Sequence, residues 1–227
     1  MPEDIIETVD LTKVYRRKKI EVAALKGVSL RVPRGEIACI MGPSGSGKTT
    51  LMNLIGGLDK PTTGRIVVDG VDLTRLSESR CADFRLKKIG FVFQFYNLFT
   101  TLTAFENVEL PMALAKAPEK ERREKARSLL EMVGMGDRAR HRPDELSGGE
   151  QQRIAIARAL ANNPALVLAD ETTGDLDSDN AKAFLELVKK LNAEQGQTFV
   201  IVTHDPLVSN ECGVVYAMRD GVLSNRK

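Results

Sequence analysis

The sequence predicts an α/β fold. Its core is a mainly parallel sheet covered on both faces, with β structure before it and a helical segment inserted into it. Three observations predict this. Short apolar runs alternate with helical periodicity in the first and last thirds of the chain, as βαβ units require. Runs such as Leu166-Val167-Leu168-Ala169 are apolar throughout, as strands buried on both faces must be. From about Asn107 to Leu160 the pattern is instead mostly helical.

The elements follow in order. Ile5 to Tyr15 and Val22 to Val32 are β-compatible runs, and the basic stretch Arg16-Arg17-Lys18-Lys19 between them reads as a solvated hairpin loop. Ile37 to Met41 is an apolar strand, followed by a glycine-rich loop. Leu51, Leu54, Ile55 and Leu58 then recur at helical spacing. Arg65 to Gly70 is a short strand ending in an Asp-Gly turn, and Ile89 to Phe93 is another strand. Glu119 to Arg127 is a charge run with i,i+4 pairs, read as the wet face of an outer helix, with Leu129, Leu130 and Val133 supplying an apolar stripe beyond it. Ala165 to Ala169 is a buried strand. Ser178 to Gln195 is a helix with Phe184, Val188 and Leu191 facing inward. Thr198 to Val202 and Val214 to Met218 are the last strands expected. The whole chain, 1–227, reads as one domain, with a core from residues 1–90 and 162–227 and a helical lobe over 91–161.

Composition narrows the class. Of 227 residues, 42% are hydrophobic, enough for a packed core. Thirty-three basic against 31 acidic side chains leave a net charge of +2, which argues against a nucleic-acid-wrapping protein, so no nucleic-acid partner is expected. No apolar run approaches the roughly 20 residues that cross a bilayer. Met1-Pro2-Glu3-Asp4 lacks the features of a signal peptide. Cys39, Cys81 and Cys212 are scattered without metal-ligand spacing and read as reduced thiols, small buried hydrophobes of a cytoplasmic protein.

The most specific stretch is Gly42-Pro43-Ser44-Gly45-Ser46-Gly47-Lys48-Thr49. It fits the phosphate-binding pattern G-x-x-x-x-G-K-[ST] and lies between a strand and a helix. Glycines let backbone N–H groups turn inward, and the helix N-terminus adds partial positive charge. Lys48 is expected to reach the β- and γ-phosphates of a nucleoside triphosphate, and the Thr49 hydroxyl to hold Mg²⁺. Asp170, at the end of an apolar strand, is where a Mg²⁺ ligand belongs. Glu171 beside it has the chemistry of a general base that polarises the attacking water. Ser147 precedes strong helix formers, and Gly148-Gly149 leave N–H groups open there. This is either an ordinary capped helix or a second anion-binding end.

With Leu146-Ser147-Gly148-Gly149-Glu150 in view, the chain resembles the ATP-binding-cassette ATPases over nearly its whole length. The resemblance implies a P-loop NTPase (RecA-like) core with an N-terminal antiparallel β subdomain and an inserted α-helical subdomain. It implies that Tyr15 stacks on adenine, that Gln94 senses the γ-phosphate through Mg²⁺ and water, and that His204 is the switch histidine. Asp175-Leu176-Asp177 matches the loop lining a dimer interface. Thr50 extends the phosphate loop. The resemblance also gives Ser147, Gly148 and Gly149 a purpose, to close over the γ-phosphate held by Lys48 of a second copy. ATP and Mg²⁺ are the implied ligands, and a homodimer is the implied ATP-bound state. An integral-membrane permease is the implied partner, meeting the chain near Gln94 and Phe95 to Thr101, with the chain peripheral on the inner face of the cell membrane.

The wording of Gly56 to Thr62, Phe91 to Gln94 and Leu102 to Val108 is similar to the lipoprotein-export and macrolide-export group. The chain departs from that group at Thr172, where proline is usual, at Asp175, where asparagine is, and at Thr50, where serine is commoner before it. A non-transporting relative that regulates cell-wall enzymes or cell division through a membrane partner carries the same motifs. A chromosome-acting relative would insert a long coiled coil before the signature, and residues 50–145 show no sustained heptads.

Overall fold

The computed structural model describes residues 3–17, 20–170 and 178–225. β1 (Asp4–Arg17) and β2 (Ile20–Pro33) form a long antiparallel hairpin in which Arg16 faces Glu21. β4 (Thr63–Val68) and β5 (Val71–Asp72) join it in a four-stranded sheet of order β2-β1-β4-β5. The Asp-Gly turn expected after β4 is present. Asp69 (φ 49) and Gly70 (φ 74) are both left-handed, the geometry whose twist suits a two-residue hairpin.

The second sheet has six strands in the order β10-β9-β3-β8-β7-β6. These are β3 (Ile37–Met41), β6 (Ile89–Val92), β7 (Leu166–Asp170), β8 (Thr198–Thr203), β9 (Val214–Arg219) and β10 (Val222–Asn225). All pair in parallel except β10, which returns antiparallel beside β9. Side-chain alternation splits each strand between two cores. Ala38, Ile40, Leu166, Leu168, Val200 and Val202 point toward the first sheet and α1 (Lys48–Ile55). Val167, Ala169, Phe199 and Ile201 point toward the helical side. Apolar residues are therefore needed at successive positions.

α1 is shorter than its apolar spacing suggests. Leu51, Leu54 and Ile55 are fully buried, whereas Leu58 is 46% exposed. The helix ends in a Schellman motif: Gly57 (φ 63) donates to Leu54 O at 3.0 Å and Leu58 N–H to Asn53 O at 2.8 Å. Glycine takes the left-handed position that the motif needs, so the chain turns away before Leu58 can join the stripe.

α2 (Glu78–Lys88), a helix not expected from periodicity, precedes β6. Between β6 and β7 lie α3 (Ala104–Leu114), α4 (Glu119–Met132) and α5 (Gly148–Ala159), packed on one another, with α5 also against β6. Leu129, Leu130 and Val133 are buried as their stripe predicts. α6 (Ser178–Gln195) buries Phe184, Val188 and Leu191, and the short α7 (Pro206–Asn210) follows β8. Among the described residues no helix is long and apolar enough to cross a membrane.

Candidate functional site

The centre of the site is the loop between β3 and α1. At Gly42 an added Cβ would stand 2.1 Å from Met218 O, inside the neighbouring strand's backbone, so no side chain fits. Gly47 caps α1 at φ 105, and its Cβ would meet Ala24 O at 2.6 Å. β2 and β9 thus pack against the loop too closely for a side chain at either glycine. The turn after β9 adds a brace: Gly221 N–H donates to Ser46 O at 3.0 Å, and Lys26 N–H donates to Gly221 O at 2.9 Å. Lys48 is buried, and its Nζ donates to Gly42 O at 2.8 Å and Pro43 O at 3.0 Å. Its ammonium is folded back over the loop it serves. Among the described residues the buried Ser46 hydroxyl has no hydrogen-bond partner.

The loop opens into a polar cleft of about 460 Å³, lined by Ser44, Gly45, Gly47, Lys48, Thr49 and Thr50 together with Gln94, Asp170 and the β2 residues Val22 to Ala24. β7 is not β3's neighbour, because β8 lies between them. Asp170 still reaches the loop: Thr49 Oγ1 donates to Asp170 Oδ1 at 3.4 Å. Thr49, Asp170 and Gln94 therefore bring a hydroxyl, a carboxylate and a side-chain amide to one space. That hard oxygen set suits Mg²⁺, which takes few protein ligands and completes its shell with phosphates and water. No metal-binding group of three His, Cys, Asp or Glu occurs among the described residues. Glu171, the expected base, and Asp175 to Asp177 lie outside the described residues, as does Thr172.

The other expected residues do not line the cleft, although Tyr15 meets the side chain of Thr50 at its edge. His204 is exposed just after β8 and lines a separate hollow with Gly42 and Pro43 rather than the cleft. Tyr15 is 42% exposed. Its hydroxyl donates to Asp59 Oδ2 at 3.0 Å, and the Lys13 ammonium lies 4.8 Å from its ring centroid. Lys13 also donates to Asp59 Oδ1 at 2.7 Å, so both groups converge on one carboxylate. Burial pushes the Tyr15 pKa up, and Asp59 adds to that rise. Burial pushes Asp59 the other way from its net shift: hydrogen bonds from Lys13, the Lys60 backbone and Tyr15 outweigh it and hold the carboxyl low.

Ser147 caps α5 in a closed capping box. Its Oγ accepts from Glu150 N–H at 3.3 Å, and Glu150 Oε2 accepts from Ser147 N–H at 2.8 Å. These bonds, with Arg138 nearby, hold the Glu150 pKa low. Ser147 and Gly148 are exposed, and among the described residues none of 147–149 lines the cleft. Sequence reasoning missed Lys26, Asp220 and Gly221, which also line it. Only the Asp220-Gly221 dipeptide carries a local signal, that of a turn.

The sequence model of the ABC transporter family matches residues 25–174. An uncharacterised ABC transporter ATP-binding protein of Thermotoga maritima is 52% identical over 217 residues, 96% of this chain and 92% of that protein. The ABC transporter ATP-binding protein YtrE of Bacillus subtilis is 52% identical over 203 residues, 89% of this chain and 88% of that protein. The macrolide export ATP-binding/permease protein MacB of Syntrophobacter fumaroxidans is 46% identical over 222 residues. That match spans 97% of this chain but 31% of MacB. A dimeric post-hydrolysis structure of the ATP-binding cassette MJ0796, bound to ADP and Pi, superposes with a TM-score of 0.89 at 43% identity, covering 98% of this chain and 99% of that one. With a family model matching most of its length and relatives at 52% identity across nearly all of it, the chain belongs to the ATP-binding-cassette family as one of its transporter ATPases.

Proposed function

We propose that this chain is the Mg-ATP-hydrolysing subunit of a membrane transporter, working on the cytoplasmic face as a head-to-tail homodimer bound to an integral-membrane permease. One observation carries the reading. The cleft gathers Lys48, Thr49, Gln94 and Asp170, while the exposed α5 start at Ser147-Gly148-Gly149 lies off its lining. A single copy has two anion-binding ends that do not share a space. A two-fold pair satisfies both, each copy's cap closing over the other's phosphates. The dimer named for MJ0796 supports this arrangement.

In this reading the loop N–H groups and Lys48 bind the phosphates. Thr49, Asp170 and Gln94 hold Mg²⁺, which would neutralise charge on the phosphate oxygens when bound. Glu171 takes a proton from the attacking water, His204 is the switch histidine, and Tyr15 stacks on adenine. The permease reading is supported by MacB, whose name joins an ATP-binding part to a permease. It is also supported by Phe95 and Phe99, 76% and 53% exposed, beside a mainly apolar groove of about 410 Å³ between α2, β6, α3 and α5. The lobes expected at 1–90 with 162–227 and at 91–161 would then be the nucleotide-binding and permease-facing parts.

The test uses Glu171→Gln, which keeps shape but loses the base. Turnover should fall about 10²-fold or more. Light scattering should show a dimer in Mg-ATP and a monomer in ADP. Adding Ser147→Arg should abolish the dimer while calorimetric ATP binding persists. A Glu171→Gln protein that stays monomeric in saturating Mg-ATP, or a Ser147→Arg protein that no longer binds ATP, counts against the composite site.

A further inference from the structure

The segment leaving β6 contains an unusual turn. Tyr96 (φ 57) and Asn97 (φ 48) are consecutive left-handed residues, and neither is glycine. Asn97 N–H donates to Phe95 O at 2.5 Å, an i→i+2 bond around a residue of positive φ, the rare and strained form of the three-residue turn. Strain of this kind persists only where the surroundings over-determine it, and it gathers at functional sites.

What holds the turn is Arg158, in the last turn of α5. Its Nη1 donates to Asn97 O at 2.5 Å and its Nη2 to Tyr96 O at 2.6 Å, so the planar fork spans the carbonyls of both left-handed residues. Among the described residues Arg158 has no carboxylate partner; its charge is spent on these two carbonyls. Burial pulls its pKa down to about 10, leaving it protonated at neutral pH. A half-buried cation without a counter-ion is costly. Here it is retained where it stabilises one backbone conformation.

The turn has two neighbours that matter. Gln94, in the cleft, lies two residues before Tyr96. On the other side, the Tyr96 hydroxyl lies 3.3 Å from where a Cβ on Gly148 would stand, at the start of α5. We propose that Arg158 is a positioning residue for ATP hydrolysis. By clamping the Tyr96–Asn97 turn, it sets both the aim of Gln94 into the cleft and the seat of the Ser147–Gly149 cap against Tyr96. This rests on the reading of Gln94 as a cleft ligand.

The experiment measures kcat, KM and calorimetric ATP affinity for Arg158→Met, Arg158→Lys and Gln94→Ala, and for each Arg158 variant combined with Asn97→Gly. Arg158→Met should lower kcat about 10-fold or more, since small misplacements of a reacting centre cost that much. ATP affinity, carried by the loop and Lys48, should change less than about 3-fold. Arg158→Lys, keeping a charge but not the fork, should fall between. Asn97→Gly should restore part of the lost kcat, because glycine takes the left-handed conformation without a clamp. Loss of core packing would not respond to that second change. Wild-type kcat in Arg158→Met beside an impaired Gln94→Ala overturns the clamp alone. So does a kcat loss that Asn97→Gly leaves untouched. Wild-type kcat in Gln94→Ala overturns the reading of Gln94 and the proposal with it. If Arg158→Met does not fold, the Arg158→Lys pair, with and without Asn97→Gly, decides by the same rescue.

Discussion

Replacing Asn107 with alanine should destabilise the protein by about 3 kcal/mol. Asn107 is fully buried on α3, and its Nδ2 donates to Phe99 O, Leu102 O and Thr103 O at 3.1, 3.2 and 3.0 Å. Its Oδ1 accepts from Phe99 N–H at 2.8 Å. Not every partner is orphaned by the change. Phe99 O also accepts from Leu102 N–H, and Thr103 O also accepts from Asn107 N–H. Phe99 N–H and Leu102 O are the two left without a bond. At roughly 1–3 kcal/mol for each unsatisfied group, and with Phe99 near solvent, the lower half of the range applies. For a chain of this size that is a drop in Tm of about 6–12 °C. Asn107→Asp should be worse, because it removes both donors and turns oxygen lone pairs toward three carbonyls. Thermal melts of the two variants at pH 7 decide the matter. A shift under about 2 °C for alanine, or a milder effect for aspartate, refutes this accounting.

Gly42→Ala should weaken ATP binding about 10-fold, because its Cβ would stand 2.1 Å from Met218 O and the loop must shift; overpacking of about 1–3 kcal/mol spans that factor. Calorimetry finding affinity within twofold of the parent would show that the loop is not wedged against β9. Asp69 lies between Arg34 and Lys88, at 2.5 and 2.9 Å. Burial raises its pKa, but the bonds from Lys88 and Arg34 outweigh that and leave it below the ordinary 3.8. A lowered carboxylate pKa stabilises the fold above 3.8, and that stability is lost as pH falls through the folded value. Asp69→Asn should therefore lower Tm at pH 7, and its deficit against the parent should shrink as pH drops below 3.8. A deficit constant with pH would contradict the linkage.

Much of the molecule was legible in the sequence where local chemistry decides. The apolar runs that became β3, β7 and β8 are apolar because both faces are covered, and the octapeptide after β3 is constrained by phosphate chemistry. α2 was missed because Cys81 alone among its residues is buried, so no stripe marks it. Its caps were nonetheless present: Ser77 accepts from Arg80 N–H, Glu78 opens the helix, and Arg85, Lys87 and Lys88 close it. β10 was missed because Val222 to Asn225 is short and pairs at an edge. The site was legible as a set of residues but not as an arrangement. Nothing local says that β8 separates β3 from β7, or that Asp170 still reaches Thr49. Arg158 looked like any basic residue in a strong helix, since its purpose lies in the carbonyls of a turn some sixty residues earlier in the chain.

The strand order has a consequence for synthesis. β3 and its loop are made early, yet both strands that flank β3 come late, as does Gly221, which braces Ser46. At roughly 5–20 residues per second, a ribosome delivers β8 and β9 on the order of 10 s after β3. During that interval Ile37-Ala38-Cys39-Ile40-Met41 leaves the exit tunnel with both edges unpaired and no brace behind its loop. Nucleotide affinity should therefore arise late and abruptly on the ribosome, and the nascent chain is most in need of a chaperone over the stretch when its most recognisable motif already exists.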